Sequence, residues 1–225
     1  MKIKYKKNDY ENDNNIFWVT MTDLMTALVL IFIVLFFYSY INGYYEKMHS
    51  ELEQKRASIA LESTLKEQQI DALVDEITGV VKISDLELFN INSYTLSERG
   101  KQYLNKFVPA YFNSIFSNEY MRENIDKIII QGHTDSQLYK GLSSEDAQYM
   151  KNMELSLRRA YEVANYMITT PYNKKNSAQL RKMIVVEGAS YSTPIMENGK
   201  ENYSKSRRVE LKIIMKNVNK KQLNK

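Results

Sequence analysis

The chain has 225 residues, of which 44% are hydrophobic and 26% charged, an ordinary globular balance that argues against wholesale disorder. Cysteine is absent, which removes a disulfide framework, a thiolate zinc site and a cysteine nucleophile together; the two histidines, His49 and His133, are too far apart to suggest a metal site. A net charge of +4 is too mild to point to nucleic acid, and no nucleic-acid partner is expected.

The apolar residues are unevenly placed. From Ile16 to Ile41 the chain reads IFWVTMTDLMTALVLIFIVLFFYSYI, with Asp23 the one charged residue. About 20 apolar residues cross a bilayer as a helix, so 16–41 is expected to span the membrane with some tilt. Trp18 at one end, and Tyr38, Tyr40, Tyr44 and Tyr45 at the other, match two interfacial aromatic belts. A cleaved signal peptide would have a shorter apolar core and a small-residue cleavage site, and neither is visible. Lys2, Lys4, Lys6 and Lys7 precede the span, whereas Lys47 alone follows closely. The positive-inside rule then leaves 1–15 as a cytoplasmic tail and sends everything after the span outside.

Residues 42–79 contain no proline and are rich in Glu, Lys, Gln, Ala and Leu. These are good helix formers, and the segment reads as a helical stalk. Met48, Leu52, Ile59, Leu65, Leu73 and Ile77 recur loosely at helical spacing. The stalk is therefore either a spacer or one strand of a short coiled coil with a second copy.

From Val80 the texture changes. Strands are expected over 80–89, 127–131, 183–187 and 208–215, and helices over 96–116 and 152–168, with Ser97 capping the first. Strands alternating with helices make 80–216 an α/β layered domain, and 217–225 a polar tail.

Inside that domain, Gly132-His133-Thr134-Asp135 directly follows an apolar strand. Asn152-x-x-Leu155-Ser156-x-x-Arg159-Ala160 comes next, then Gly188 with Pro194, then Ser206-Arg207-Arg208-Val209-Glu210. On a helix, Asn152, Ser156 and Arg159 fall on one polar stripe. Asp135 lies just past a strand end, where open α/β sheets place their ligand sites. A carboxylate and a guanidinium facing one pocket can grip a zwitterion by its ammonium and its carboxylate. The residues alone equally allow Asp135 to cap a loop and Arg159 to make an internal salt bridge. No nucleophile or acid–base pair stands out, so the domain is expected to hold a ligand rather than cut one.

These blocks, in this order, resemble the OmpA-like peptidoglycan-binding domain in the version carried by MotB-type proteins, and LFNINSYTLSERGKQYLNKF resembles that family's first strand–turn–helix. The resemblance departs at Ser206, where the family has Asn. It implies that Asp135, Arg159, Asn152, Ser156 and Arg207 bind the diaminopimelate of a peptidoglycan stem peptide. One of Arg207 and Arg208 is expected to shape the site, with the other structural, and His133 to support it. Asp135→Ala or Arg159→Ala is expected to remove wall binding and leave the fold intact.

Asp23 has Thr20 three residues before it, Thr26 three after and Ala27 four after. An ionisable residue in a membrane span is costly and functional by default, and this small, polar face suits partner helices rather than lipid. The alternatives are a boundary aspartate that snorkels to the surface, or a hydrogen bond within a dimer. Trp18-x-x-x-x-Asp23-x-Met25-Thr26-Ala27 resembles the transmembrane signature of MotB-type stator subunits. With Phe17, Leu24 and the compact stalk, it is most similar to the stator subunits of Zorya anti-phage systems. The resemblance implies a homodimer inside five copies of a MotA-like membrane protein (ZorA in the Zorya case). It implies that Asp23, with Thr20 and Thr26 nearby, binds the translocated ion. That ion is expected to be a proton, with sodium the alternative, and no resident cofactor or metal is expected. A flagellar MotB-type stator and a passive wall-tethered anchor are the competing readings.

Overall fold

The structure, a computed structural model, describes residues 10–90, 93–142, 144–170 and 177–216. Most of the tail expected over 1–15, and the polar tail over 217–225, lie outside the described residues. The chain divides into two compact units, Met1–His49 and Ser50–Lys225.

The first unit is helical from Tyr10, the start of α1 (Tyr10–Glu67). From Phe17 to Ile41 its large apolar side chains point outward around the whole circumference, Trp18 and Phe36 being 64% and 66% exposed. A helix apolar on every side belongs in a core or a membrane, and none of the described residues covers this one. It is long and apolar enough to cross a membrane.

The second unit begins on the same helix. Ala57, Leu61 and Leu65 share one helical face and are buried in the hydrophobic core. Of residues 42–79, expected from sequence as a helical stalk, those to Glu67 are helical, and those from Ser50 on fall in this second unit. The helix ends near Gln69, whose φ of 55° turns the chain toward the sheet. β1 (Leu73–Val74) then pairs antiparallel with β2 (Val81–Ser84). β2 is followed at once by the short helix α2 (Asp85–Leu88), so the strand expected over 80–89 stops at Ser84.

α3 (Glu98–Ser117) starts where Ser97 accepts a hydrogen bond from the Gly100 amide, the cap expected from sequence. α4 (Glu119–Asn124), β3 (Ile125–His133), α5 (Glu145–Thr169), α6 (Ser177–Met183) and β4 (Ile184–Gly188) follow. The hairpin β5 (Met196–Glu197) and β6 (Lys200–Glu201), the turn α7 (Tyr203–Ser206) and β7 (Arg208–Met215) complete the domain.

The main sheet has the order β1-β2-β7-β3-β4. β3 and β4 run parallel, joined through α5 and α6, while β7 lies antiparallel between β2 and β3. The domain is the expected α/β class. Val81 and Ile83, Ile128 and Ile130, and Val209, Leu211 and Ile213 alternate on one face, as strands require, and form the core with α3, α5 and the end of α1.

Two glycines fix how closely α5 approaches the sheet. A Cβ on Gly132 would lie 2.0 Å from the Ser156 carbonyl oxygen, and one on Gly188 would lie 2.9 Å from the Leu157 nitrogen. Only bare backbone fits there. This close contact brings the polar stripe of α5 to the ends of the strands.

Candidate functional site

Because β7 runs against both β2 and β3, the ends of β2 and β3 and the start of β7 meet at one edge of the sheet. Asp85 is the first residue after β2, Asp135 lies two residues after β3, and Arg207 directly precedes β7. Arg159 and Asn152 come from α5. All five line one cavity of about 620 Å³, together with Tyr139 and Leu86.

The buried and half-buried charges in this cavity are paired. Arg159 Nη1 lies 2.9 Å from Asp85 Oδ2, with only 2% and 4% of the two side chains exposed. Arg159 Nε donates to the Ser93 carbonyl at 2.9 Å, and its guanidinium sits 5.3 Å over the Phe89 ring. Arg207 Nη1 donates to Asp135 Oδ2, and Arg207 Nε stands 3.7 Å from Asp85 Oδ1. Burial pushes the Asp85 carboxyl above its ordinary value, against the pull of Arg159 and Arg207. Arg207 keeps 27% of its side chain exposed, so it faces the opening, while Arg159 forms the floor.

Gln148 ties the loop after Asp135 to α5. Gln148 Oε1 accepts from the Tyr139 amide at 2.8 Å, and its Nε2 donates to the carbonyls of Tyr139 and Leu142 at 2.9 and 2.7 Å. Asn152, 3% exposed, donates to the Gln148 carbonyl at 3.1 Å.

The structure brings together four of the expected residues, Asp135, Asn152, Arg159 and Arg207, and separates the fifth. Ser156 is fully buried, accepting from the Ser190 amide at 3.1 Å and donating to the Met153 carbonyl at 2.9 Å. It ties α5 to the segment after β4 and does not line the cavity. Arg208 turns away and pairs with Glu210 at 2.6 Å. His133, 2% exposed, stands 3.0 Å from Thr193 Oγ1 and 3.5 Å from Glu210 Oε2. Asp85 falls inside the strand expected over 80–89, which hides it in the sequence. Its one signal was an acid ending the alternation of Val81 and Ile83.

In the first unit Asp23 is exposed on the helix. The Thr20 hydroxyl donates to the Phe17 carbonyl at 2.9 Å and that of Thr26 to the Thr22 carbonyl at 2.6 Å. Both hydroxyls therefore hold fixed positions on the side of the helix that carries the carboxylate.

The profile of the OmpA family matches residues 88–208. The chain is 29% identical to the Zorya protein ZorB from the Crooks strain of Escherichia coli, over 92% of this chain and 90% of that protein. It is 27% identical to the Zorya protein ZorB of a second Escherichia coli strain, over 92% of this chain and 84% of that one. Among solved structures, a MotB-like protein from Desulfovibrio vulgaris superposes with a TM-score of 0.52 at 15% identity, over 72% of this chain and 94% of that one.

Proposed function

The chain belongs to the OmpA family, and from that premise we propose that it is a wall-held stator subunit of an ion-driven membrane motor of the Zorya anti-phage type. The observation that carries this reading is the pairing, in one chain, of an apolar stretch, 16–41, whose one charged residue is Asp23, with a domain whose cavity gathers two acids and two arginines. Support comes also from the ZorB alignments, whose 92% span of this chain takes in Asp23 as well as the domain.

The domain would take a stem peptide of peptidoglycan. A ligand ammonium would displace Arg207 from Asp135, and the freed Arg207, with Arg159, would accept the ligand carboxylate. The ligand thus exchanges one set of ion pairs for another rather than desolvating bare charges. In the membrane, Asp23 would bind a proton, with Thr20 and Thr26 as the nearest further oxygens. One elementary charge crossing 100 mV yields about 2.3 kcal/mol. Two copies of this chain would stand inside five copies of a MotA-like subunit in the inner membrane, N-terminus in the cytoplasm and domain outside. The wall contact would hold the pair still while the ring turns.

The wall-binding half is tested by sedimenting the detergent-solubilised chain with purified peptidoglycan. Wild type is expected to sediment, with free diaminopimelate competing, and Asp135→Asn to stay in solution. Undiminished sedimentation of Asp135→Asn would overturn the assignment of this cavity.

A further inference from the structure

The cavity holds one acid more than a simple clamp needs. Asp135 and Arg159 suffice to grip an ammonium and a carboxylate, and Arg207 adds a second guanidinium at the opening. Asp85 cancels that addition. It is 3% exposed, contacts Arg159 at 2.9 Å and stands 3.7 Å from Arg207, and its Oδ1 makes no hydrogen bond. Lys140 also borders the cavity, but it is exposed and its charge is screened by solvent. The buried and half-buried groups therefore sum to zero, two carboxylates against two guanidiniums.

We propose that Asp85 determines the specificity of this site, making the cavity neutral so that it selects ligands carrying an ammonium and a carboxylate together. The inference rests on the wall-binding reading above. A zwitterion leaves the cavity neutral. A ligand with its amine blocked brings an uncompensated negative charge, and one with its carboxylate blocked brings a positive charge. Either sits within a few ångströms of fixed charges in a partly dry site, where an unbalanced unit charge shifts binding by about tenfold or more. Without Asp85 the cavity would carry a net positive charge and would favour the amine-blocked ligand.

The test uses the full chain in detergent and three synthetic stem peptides ending in diaminopimelate: unmodified, with that residue's free amine acetylated, and with the carboxylate on the same carbon as that amine amidated. Wild type is expected to prefer the unmodified peptide over both others. Asp85→Asn should shift the preference toward the acetylated peptide by about tenfold. Arg207→Gln should shift it the opposite way, toward the amidated peptide. The double variant, neutral again, should return to the unmodified peptide. A side chain with a merely structural role would weaken all three peptides in parallel, and that result, or a double variant that fails to recover, overturns the proposal. If Asp85→Asn does not fold, Arg207→Gln decides alone, a parallel loss overturning the charge balance. Wild type that binds none of the peptides would instead remove the wall-binding reading itself, and this inference with it.

Discussion

The two units treat charge in opposite ways. The domain buries Asp85, Asp135, Arg159, Arg208 and Glu210 and gives each an oppositely charged partner. The apolar stretch 16–41 of the first unit carries one acid, Asp23, exposed among apolar side chains. A buried pair is a folding element, because removing one partner strands the other. A single acid on a membrane-length helix does nothing for the fold of its own chain. Substitutions in the domain should therefore register first as lost stability, and substitution of Asp23 should register only as lost function.

The largest effect is expected at Gly132. The added methyl of Gly132→Ala would meet the backbone oxygen of Ser156, which cannot rotate aside. The domain should lose at least about 4–5 kcal/mol, enough to leave it largely unfolded, as read by thermal or urea denaturation. Stability close to wild type would mean that α5 does not sit this close to the sheet.

Arg159→Ala comes next. Sequence alone leads to the expectation that this change spares the fold; the burial of Arg159 leads to the opposite one. Arg159 is 2% exposed, pairs with Asp85 and holds the Ser93 carbonyl, so its loss strands a buried carboxylate. A cost of about 3–5 kcal/mol is expected in denaturation. Asp135→Asn removes a more accessible pairing and is the cleaner probe of binding.

Why some of this was legible and some not follows from the residues. Gly132-His133-Thr134-Asp135 and Arg159 could be read because their order resembles the OmpA-like pattern, whereas spacing alone left a loop cap and an internal salt bridge equally open. The place of Asp85 was hidden, since its role depends on two arginines 74 and 122 positions away in sequence. Helical spacing put Ser156 on the same stripe as Asn152 and Arg159, but spacing cannot tell a stripe's cavity end from its buried middle. The apolar spacing of the stalk is a related case. Leu65 belongs to the face that packs into the core, while Leu52 and Ile59 are each 46% exposed. Reading them as one stripe merged two faces of α1.

A smaller effect separates the units by pH. Burial lowers the His133 pKa, with Arg208 and Lys212 adding to it and Glu210 opposing. For Glu210 burial works upward, but its hydrogen bonds with His133 and Arg208 win and hold the carboxyl well below the usual range. Both folded-state values lie below their unfolded ones, so both contributions are complete above the unfolded pKa and fade as pH falls toward the folded one. Asp85, raised by burial, has the opposite sign. The domain's Tm should thus drop by a few degrees between pH 7.5 and pH 5, chiefly through His133. His133→Gln should flatten that slope. An equally steep slope in the variant would exclude His133 as its source.

Asp23→Asn should have the smallest effect on folding and the largest on function. Asparagine keeps the shape and the hydrogen-bonding capacity of aspartate but cannot take up or release a proton. The decisive measurement is protection against phage in cells carrying the chain with its partner genes, alongside membrane levels of the complex and wall binding. Complete loss of protection, at normal complex levels and with wall binding unchanged, is the expected result. Full protection by the Asn variant at normal levels would contradict the ion-motor mechanism and leave a passive wall anchor.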